Sequence, residues 1–279
     1  MFVDIHTHVW EPELIPERVK GEIGGSRGWT ASLWSRIGSA TRQKHLEAEK
    51  NADKVVVFGW PAVIDVPNEF LSEFVKSDEK LIGFASVDPH KTSAASELRH
   101  AVKDLGLRGL KMYPITQHLY PNDSIMYPIC EVAQELEVPI LWHLSPTFRR
   151  DAPLKYSQPL LLEDLAIAFP DLRMIIAHAG FPHEVEVMAM LRKQPNVYAE
   201  ISGCISQPYR FYNTMIAAVD YGVTDKLLFG SDWPLFTIEE TIKFLKGVNA
   251  FVNGTNLPKI SDAVIDNIIN HNGQKFLGR

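Results

Sequence analysis

The chain has 279 residues, 46% of them hydrophobic and 22% charged, which excludes a disordered, fibrous or membrane-embedded polypeptide and fits one globular domain over 1–279. A formal net charge of −6 without a cluster of Lys and Arg argues against nucleic acid as a partner and for a small-molecule substrate. Cys130 and Cys204 are too few for a disulfide framework, no apolar run approaches the ~20 residues of a membrane span, and the first residues do not read as the basic start and apolar stretch of a signal peptide. The expectation is a cytoplasmic protein with neither a nucleic-acid nor a membrane partner, and with a homodimer as the default assembly.

In chain order, the first apolar run is Phe2–Ile5, and it ends on His6-Thr7-His8. Side chains at i and i+2 of a strand share a face, so both imidazoles are placed on one side, and Asp4 by the same alternation one layer deeper. There Asp4 is expected to orient an imidazole N–H or to make a structural hydrogen bond. A long insertion over residues 11–50 follows, rich in Pro and Gly and closing on a helical stretch at 42–51, with Trp29 and Trp34 placed to pack it on the rim or to cap a pocket.

Seven more apolar runs follow: Lys54–Phe58, Leu81–Val87, Leu107–Tyr113, Pro139–Leu144, Arg173–Ala177, Val197–Ile201 and Lys226–Phe229. Each is a continuous stretch, as in a parallel strand covered on both faces. Segments with helical spacing separate them: Ser93–Leu105, Ser124–Leu136, Ser157–Phe169, Pro182–Arg192, Gln207–Val219 and Ile238–Gly247. This βα alternation predicts a single (β/α)8 TIM barrel with a long insertion after the first strand. The spacing from His6 to Asp232 averages about 32 residues per βα unit, against the about 31 that a ~250-residue barrel needs. A doubly wound sheet would call for a Gly-rich first turn, which is absent.

Other runs carry polar tips where barrel enzymes place chemistry: His143 after Pro-Ile-Leu-Trp, His178 after Met-Ile-Ile-Ala, and Asp232 after Leu-Leu-Phe-Gly-Ser. A single buried histidine is more often a hydrogen-bonded core residue than a ligand. Four histidines and an aspartate at one end of different strands instead predict a divalent-metal site, because neutral imidazole and carboxylate are its usual donors. A metal with an open position activates water at neutral pH.

These residues resemble the amidohydrolase superfamily, specifically its amidohydrolase-2 branch, which includes the aminocarboxymuconate-semialdehyde decarboxylase-like enzymes. The likeness runs the length of the chain, through Val-Asp-Ile-His-Thr-His, Gly-Leu-Lys-Met-Tyr-Pro, Leu-Trp-His, Ala-His-Ala-Gly-Phe-Pro, Phe-Gly-Ser-Asp-Trp-Pro and the closing Asn-Ile-Ile-Asn-His-Asn-Gly-Gln-Lys-Phe-Leu-Gly. The resemblance implies that His6, His8, His143 and Asp232 ligate one metal, usually Zn2+. It also implies catalysis by Asp232 and His178, the latter poising water or polarising the substrate.

Lys111 ends the fourth strand, the one that supplies a carboxylated, metal-bridging lysine in binuclear members of the superfamily. The mononuclear site is the reading adopted here, with Lys111, Glu200 and Arg149 as substrate contacts. Two reactions fit this ligand set: hydrolysis of a small ester, lactone or amide, and non-oxidative decarboxylation of an aromatic or unsaturated acid. A catalytically dead scaffold would have lost some of the polar tips, and every one is present.

Overall fold

The computed structural model describes residues 1–25, 35–147 and 149–278; Trp29 and Trp34 lie outside them. Eight parallel strands alternate with helices: β1 Val3–His8, β2 Lys54–Phe58, β3 Leu81–Gly83, β4 Leu110–Met112, β5 Ile140–Trp142, β6 Met174–Ile176, β7 Val197–Glu200 and β8 Leu227–Leu228. Ladders join β1 through β3 and β4 through β8 in sequence order. Both seams are stitched by isolated bonds: Ala85 N–H donates to Gly109 C=O (2.8 Å) and Lys111 N–H to Ala85 C=O (2.8 Å) at one, and Ile5 N–H donates to Phe229 C=O (3.0 Å) and His8 N–H to Trp233 C=O (2.9 Å) at the other. The architecture is the expected (β/α)8 barrel.

Each strand is apolar on both faces because each face meets a core. Val56, Phe58, Leu141, Ile175, Tyr198 and Leu228 fill the barrel interior, while Val55, Val57, Ile140, Met174, Val197 and Leu227 pack outward beneath the helices. The bottom is closed by the last helix, Asn272–Leu277, whose Phe276 joins the interior cluster. Side chains thus leave room for chemistry only at the opposite rim, where the C-terminal ends of the strands open.

Helix ends follow local rules. Ile238–Lys246 starts on a reciprocal capping box between Thr237 and Glu240. Pro208–Tyr221 stops at Gly222, whose φ of +69° suits glycine. Several strands are shorter than their apolar runs, β3 and β8 most of all, because a run buried on both sides has no alternation to mark its edges. The helices Asn68–Val75 and Asp262–Asn270 were not anticipated.

The parity of β1 departs from the sequence expectation. Asp4 pairs with Val55 and Thr7 with Val57, so three steps on β1 oppose two on β2. This one-residue bulge turns both Ile5 and His6 inward and leaves Asp4 and Thr7 on the outer face. The Asp4 carboxylate consequently reaches no imidazole; its Oδ1 accepts the backbone N–H groups of His6 and Ser231, each at 3.0 Å, and so ties β1 to the segment following β8.

Close packing at the β3–β4 seam is testable. A Cβ on Gly109 would fall 2.5 Å from the ring of the buried Phe84. The Gly109→Ala protein is expected to fold with stability lowered by about 1–3 kcal/mol, read as a fall in the denaturant midpoint at unchanged m-value.

Candidate metal centre

At the rim, His6 Nε2 lies 3.3 Å from His8 Nε2, and the two atoms are 3.4 and 3.5 Å from Asp232 Oδ1. The tautomers follow from what the other ring nitrogens face. His8 Nδ1 is 3.1 Å from the Gly59 carbonyl, which can only accept. His6 Nδ1 is 2.7 Å from Glu200 Oε1, a carboxylate oxygen. Both Nδ1 atoms therefore carry the proton, and both Nε2 lone pairs point at each other and at Asp232. With Asp232 ionised, three acceptors converge with no donor among them, an arrangement that repels itself unless a cation lies between them.

The same logic continues through the other two histidines. His178 Nδ1 faces the Ser202 carbonyl at 3.0 Å and donates to it. Its Nε2 then accepts from His143 Nδ1 at 3.1 Å. That leaves His143 Nε2 as a lone pair, buried and without a partner. Burial, reinforced by the positive charge on Lys111, pushes His8 down to about 3, and burial also drives His6 and His143 well below the ordinary imidazole range. All are neutral at physiological pH, the form that binds metal. Burial likewise raises the Asp232 carboxyl to about 7.

Among the described residues, His6, His178 and Asp232 offer ligand atoms within 4.8 Å of one another. His143 stands one hydrogen bond further out, through His178 Nε2. Nitrogen and carboxylate donors of this kind suit a divalent transition metal. The backbone is bent to deliver them: His178 has φ 55° and Asp232 φ 67°, left-handed values that cost a non-glycine residue about 1–2 kcal/mol each. Gly203, at φ +69°, fits against this pair, where a Cβ would come 3.2 Å from His178 Nδ1 and 3.5 Å from Asp232 Oδ2.

Glu200 is placed behind the centre rather than in front of it. It is fully buried, does not line the cavity, and gathers His6 Nδ1, the His178 N–H (2.9 Å), the Ser202 N–H (2.6 Å) and the Ser202 hydroxyl (3.0 Å). Its expected role as a substrate contact is therefore corrected to that of an anchor for two of the histidines. Arg149 is buried and pairs with Asp151 at 2.5 Å. Lys111 does line the cavity, with Nζ buried, unpartnered and 4.7 Å from the Phe58 ring centre. Burial depresses its ammonium to about 7.

The cavity in front of the histidines is about 120 Å³ in volume and walled by Trp10, Trp60, Tyr113, Phe181, Phe211 and Phe236. Trp60 stacks between Trp10 and Tyr113, with interplanar angles of 21° and 20°. At its edge Arg210 pairs with Glu184 at 2.6 Å and lies over Phe181. Sequence reasoning missed this wall and this pair; the one available signal was that each follows a strand end on the chemical side of the barrel.

The family described as Amidohydrolase (Amidohydro_2) matches residues 3–279. An L-fucono-1,5-lactonase of Burkholderia ambifaria is 27% identical over 163 residues, 53% of either chain, so the match spans about half the length of that relative. A gamma-resorcylate decarboxylase of Polaromonas sp. is 25% identical over 232 residues, 65% of this chain and 69% of that one. Among solved structures, a dihydroxybenzoic acid decarboxylase from Polaromonas sp. JS666, with bound manganese and the inhibitor 2-nitroresorcinol, superposes at a TM-score of 0.70. It is 20% identical, over 100% of this chain and 97% of the other.

The anchoring role of Glu200 has a direct readout. Glu200→Gln keeps the shape but presents an amide N–H to the donors that now meet a carboxylate. It is expected to weaken Zn2+ affinity about 10–100-fold, measured by competition with a chromogenic chelator.

Proposed function

Because the chain belongs to the amidohydrolase family, whose model covers it from residue 3 to its last residue, we propose that it is a metal-dependent hydrolase of a small ester, lactone or amide. The observation that carries the metal part is the convergence of the His6 and His8 lone pairs on Asp232 Oδ1 with no donor among them. His143, whose Nε2 is buried and unpartnered, is the further ligand in this reading, and His178, which groups with His6 and Asp232 within 4.8 Å, stands beside it. One ion per chain is the reading, with Zn2+ the metal that this nitrogen-rich set favours. A second ion would require a carboxylated Lys111.

His6, His8, His143 and Asp232 would hold a divalent ion, which would supply Lewis acidity and lower the pKa of water from 15.7 to about 7. The chain does the rest. Asp232, whose Oδ1 lies 3.4 and 3.5 Å from the Nε2 atoms of His6 and His8, takes the proton of the attacking water and returns it to the leaving oxygen or nitrogen. His178, clamped at Nδ1 by Ser202, presents its Nε2 lone pair to the His143 Nδ1–H and so holds the His143 ring in one orientation. The Lys111 ammonium, lacking a protein partner, meets an anionic oxygen of the substrate. The stacked aromatic wall favours a single flat ring, since an apolar cavity of about 150 Å³ accepts benzene.

That wall also favours a second reading, decarboxylation of an aromatic or unsaturated acid, in which the ring stacks on Trp60 and Tyr113 and its carboxylate meets Lys111. Assaying a panel of lactones and aromatic acids for acid production and for CO2 release separates the two. Acid production that stops on chelation, returns with about one Zn2+ per chain and is lost in Asp232→Asn, with the fold retained by circular dichroism, is the expected result. CO2 release without hydrolysis transfers the assignment to the lyase, and full activity in Asp232→Asn removes Asp232 from its role.

A further inference from the structure

A second buried polar group lies behind β1, on the face away from the cavity. The helix Arg42–Ala48 and its C-cap Glu49 pack here, in an interface otherwise built of Val, Leu, Ala and Phe. His45 and Glu49 are one turn apart and fully buried. The Thr7 hydroxyl donates to the Val56 carbonyl at 2.8 Å, so the contact at 2.8 Å between His45 Nε2 and Thr7 Oγ1 has the imidazole as donor. His45 is neutral, burial taking it down to about 3. Its Nδ1, both carboxyl oxygens of Glu49 and Asp4 Oδ2 find no protein partner. Burial raises the Glu49 carboxyl well above its ordinary range, and the charge on Asp4 adds to this.

The placement of these groups links them to the metal centre. Thr7 stands between His6 and His8, and Asp4 holds the His6 N–H. Together they are the two outward side chains that flank the β1 bulge, the irregularity that turns His6 inward. A bulge gives up ladder hydrogen bonds, so it keeps its shape only where side chains hold it. We propose that His45 is a positioning residue for the metal centre, gripping Thr7 from the outer layer so that the bulge presents His6 and His8 together at the rim. The inference rests on the metal reading above.

The test compares metal affinity with stability. Thr7→Val and His45→Phe each remove the hydroxyl–imidazole bond while keeping volume, and Ser72→Ala is the control: it removes a part-buried bond, Ser72 hydroxyl to Leu105 carbonyl at 2.6 Å, elsewhere on the outer layer. Zn2+ dissociation constants are measured by chelator competition, and melting temperatures on the metal-free proteins. The expected result is affinity weakened about tenfold or more in Thr7→Val and His45→Phe, and unchanged in Ser72→Ala at a similar loss of melting temperature. Should either variant fail to fold, Thr7→Ala, which removes the hydroxyl without adding bulk, is read the same way. Wild-type affinity in the folded β1-cluster variants, with stability falling as in Ser72→Ala, overturns the inference alone. Absence of Zn2+ binding by the unmodified chain overturns the metal reading and this inference with it.

Discussion

Three lone pairs brought to within about 3.5 Å of one another, with every accompanying N–H turned away, are the constraint around which the rest of this molecule is arranged. Like partial charges at that distance in a buried site are unfavourable, and the chain holds them there through tethers on the far side of each ring. Gly59 fixes His8, Glu200 fixes His6, and Ser202 fixes His178, which in turn fixes His143. Such an array is preorganised for a cation: ligands already oriented lose little freedom when one binds, and the free energy that would otherwise go into ordering side chains remains as affinity.

The barrel supplies the stiffness this requires. Both faces of each strand are buried, so a strand cannot slide without disrupting two cores at once. The polar groups stand where the apolar filling ends. Strain at His178 and Asp232, both in left-handed backbone, sits directly in the site and is held by the packed layers beneath it. Among the described residues no helix is long and apolar enough to cross a membrane, and the apolar surface that concentrates chemistry is the aromatic wall of the cavity itself.

Much of the site was legible in the primary structure because a parallel barrel converts sequence order into spatial order. A polar residue just past an apolar run arrives at the rim whatever its distance along the chain, and His6, His8, His143, His178 and Asp232 could be read that way. The failures share a cause. Asp4 was assigned to the inner face by strict alternation, and one extra residue in β1 reversed it. Glu200 was read as facing the substrate because strand-end position does not tell whether a carboxylate points into the cavity or behind a ligand. Arg210 at the cavity edge went unread because it lies within a helix rather than just past an apolar run.

By itself, then, the amino-acid order determined the class of fold, the rim on which chemistry sits and the donor types gathered there, since those depend on periodicity and on composition at strand ends. Only the tertiary structure decided which nitrogen of each imidazole faces the centre, which carboxylate supports rather than touches, and what surface the substrate meets. Those outcomes depend on hydrogen bonds and ring contacts between residues far apart in the chain, and on a single bulge, none of which leaves a periodic trace in the order of the residues.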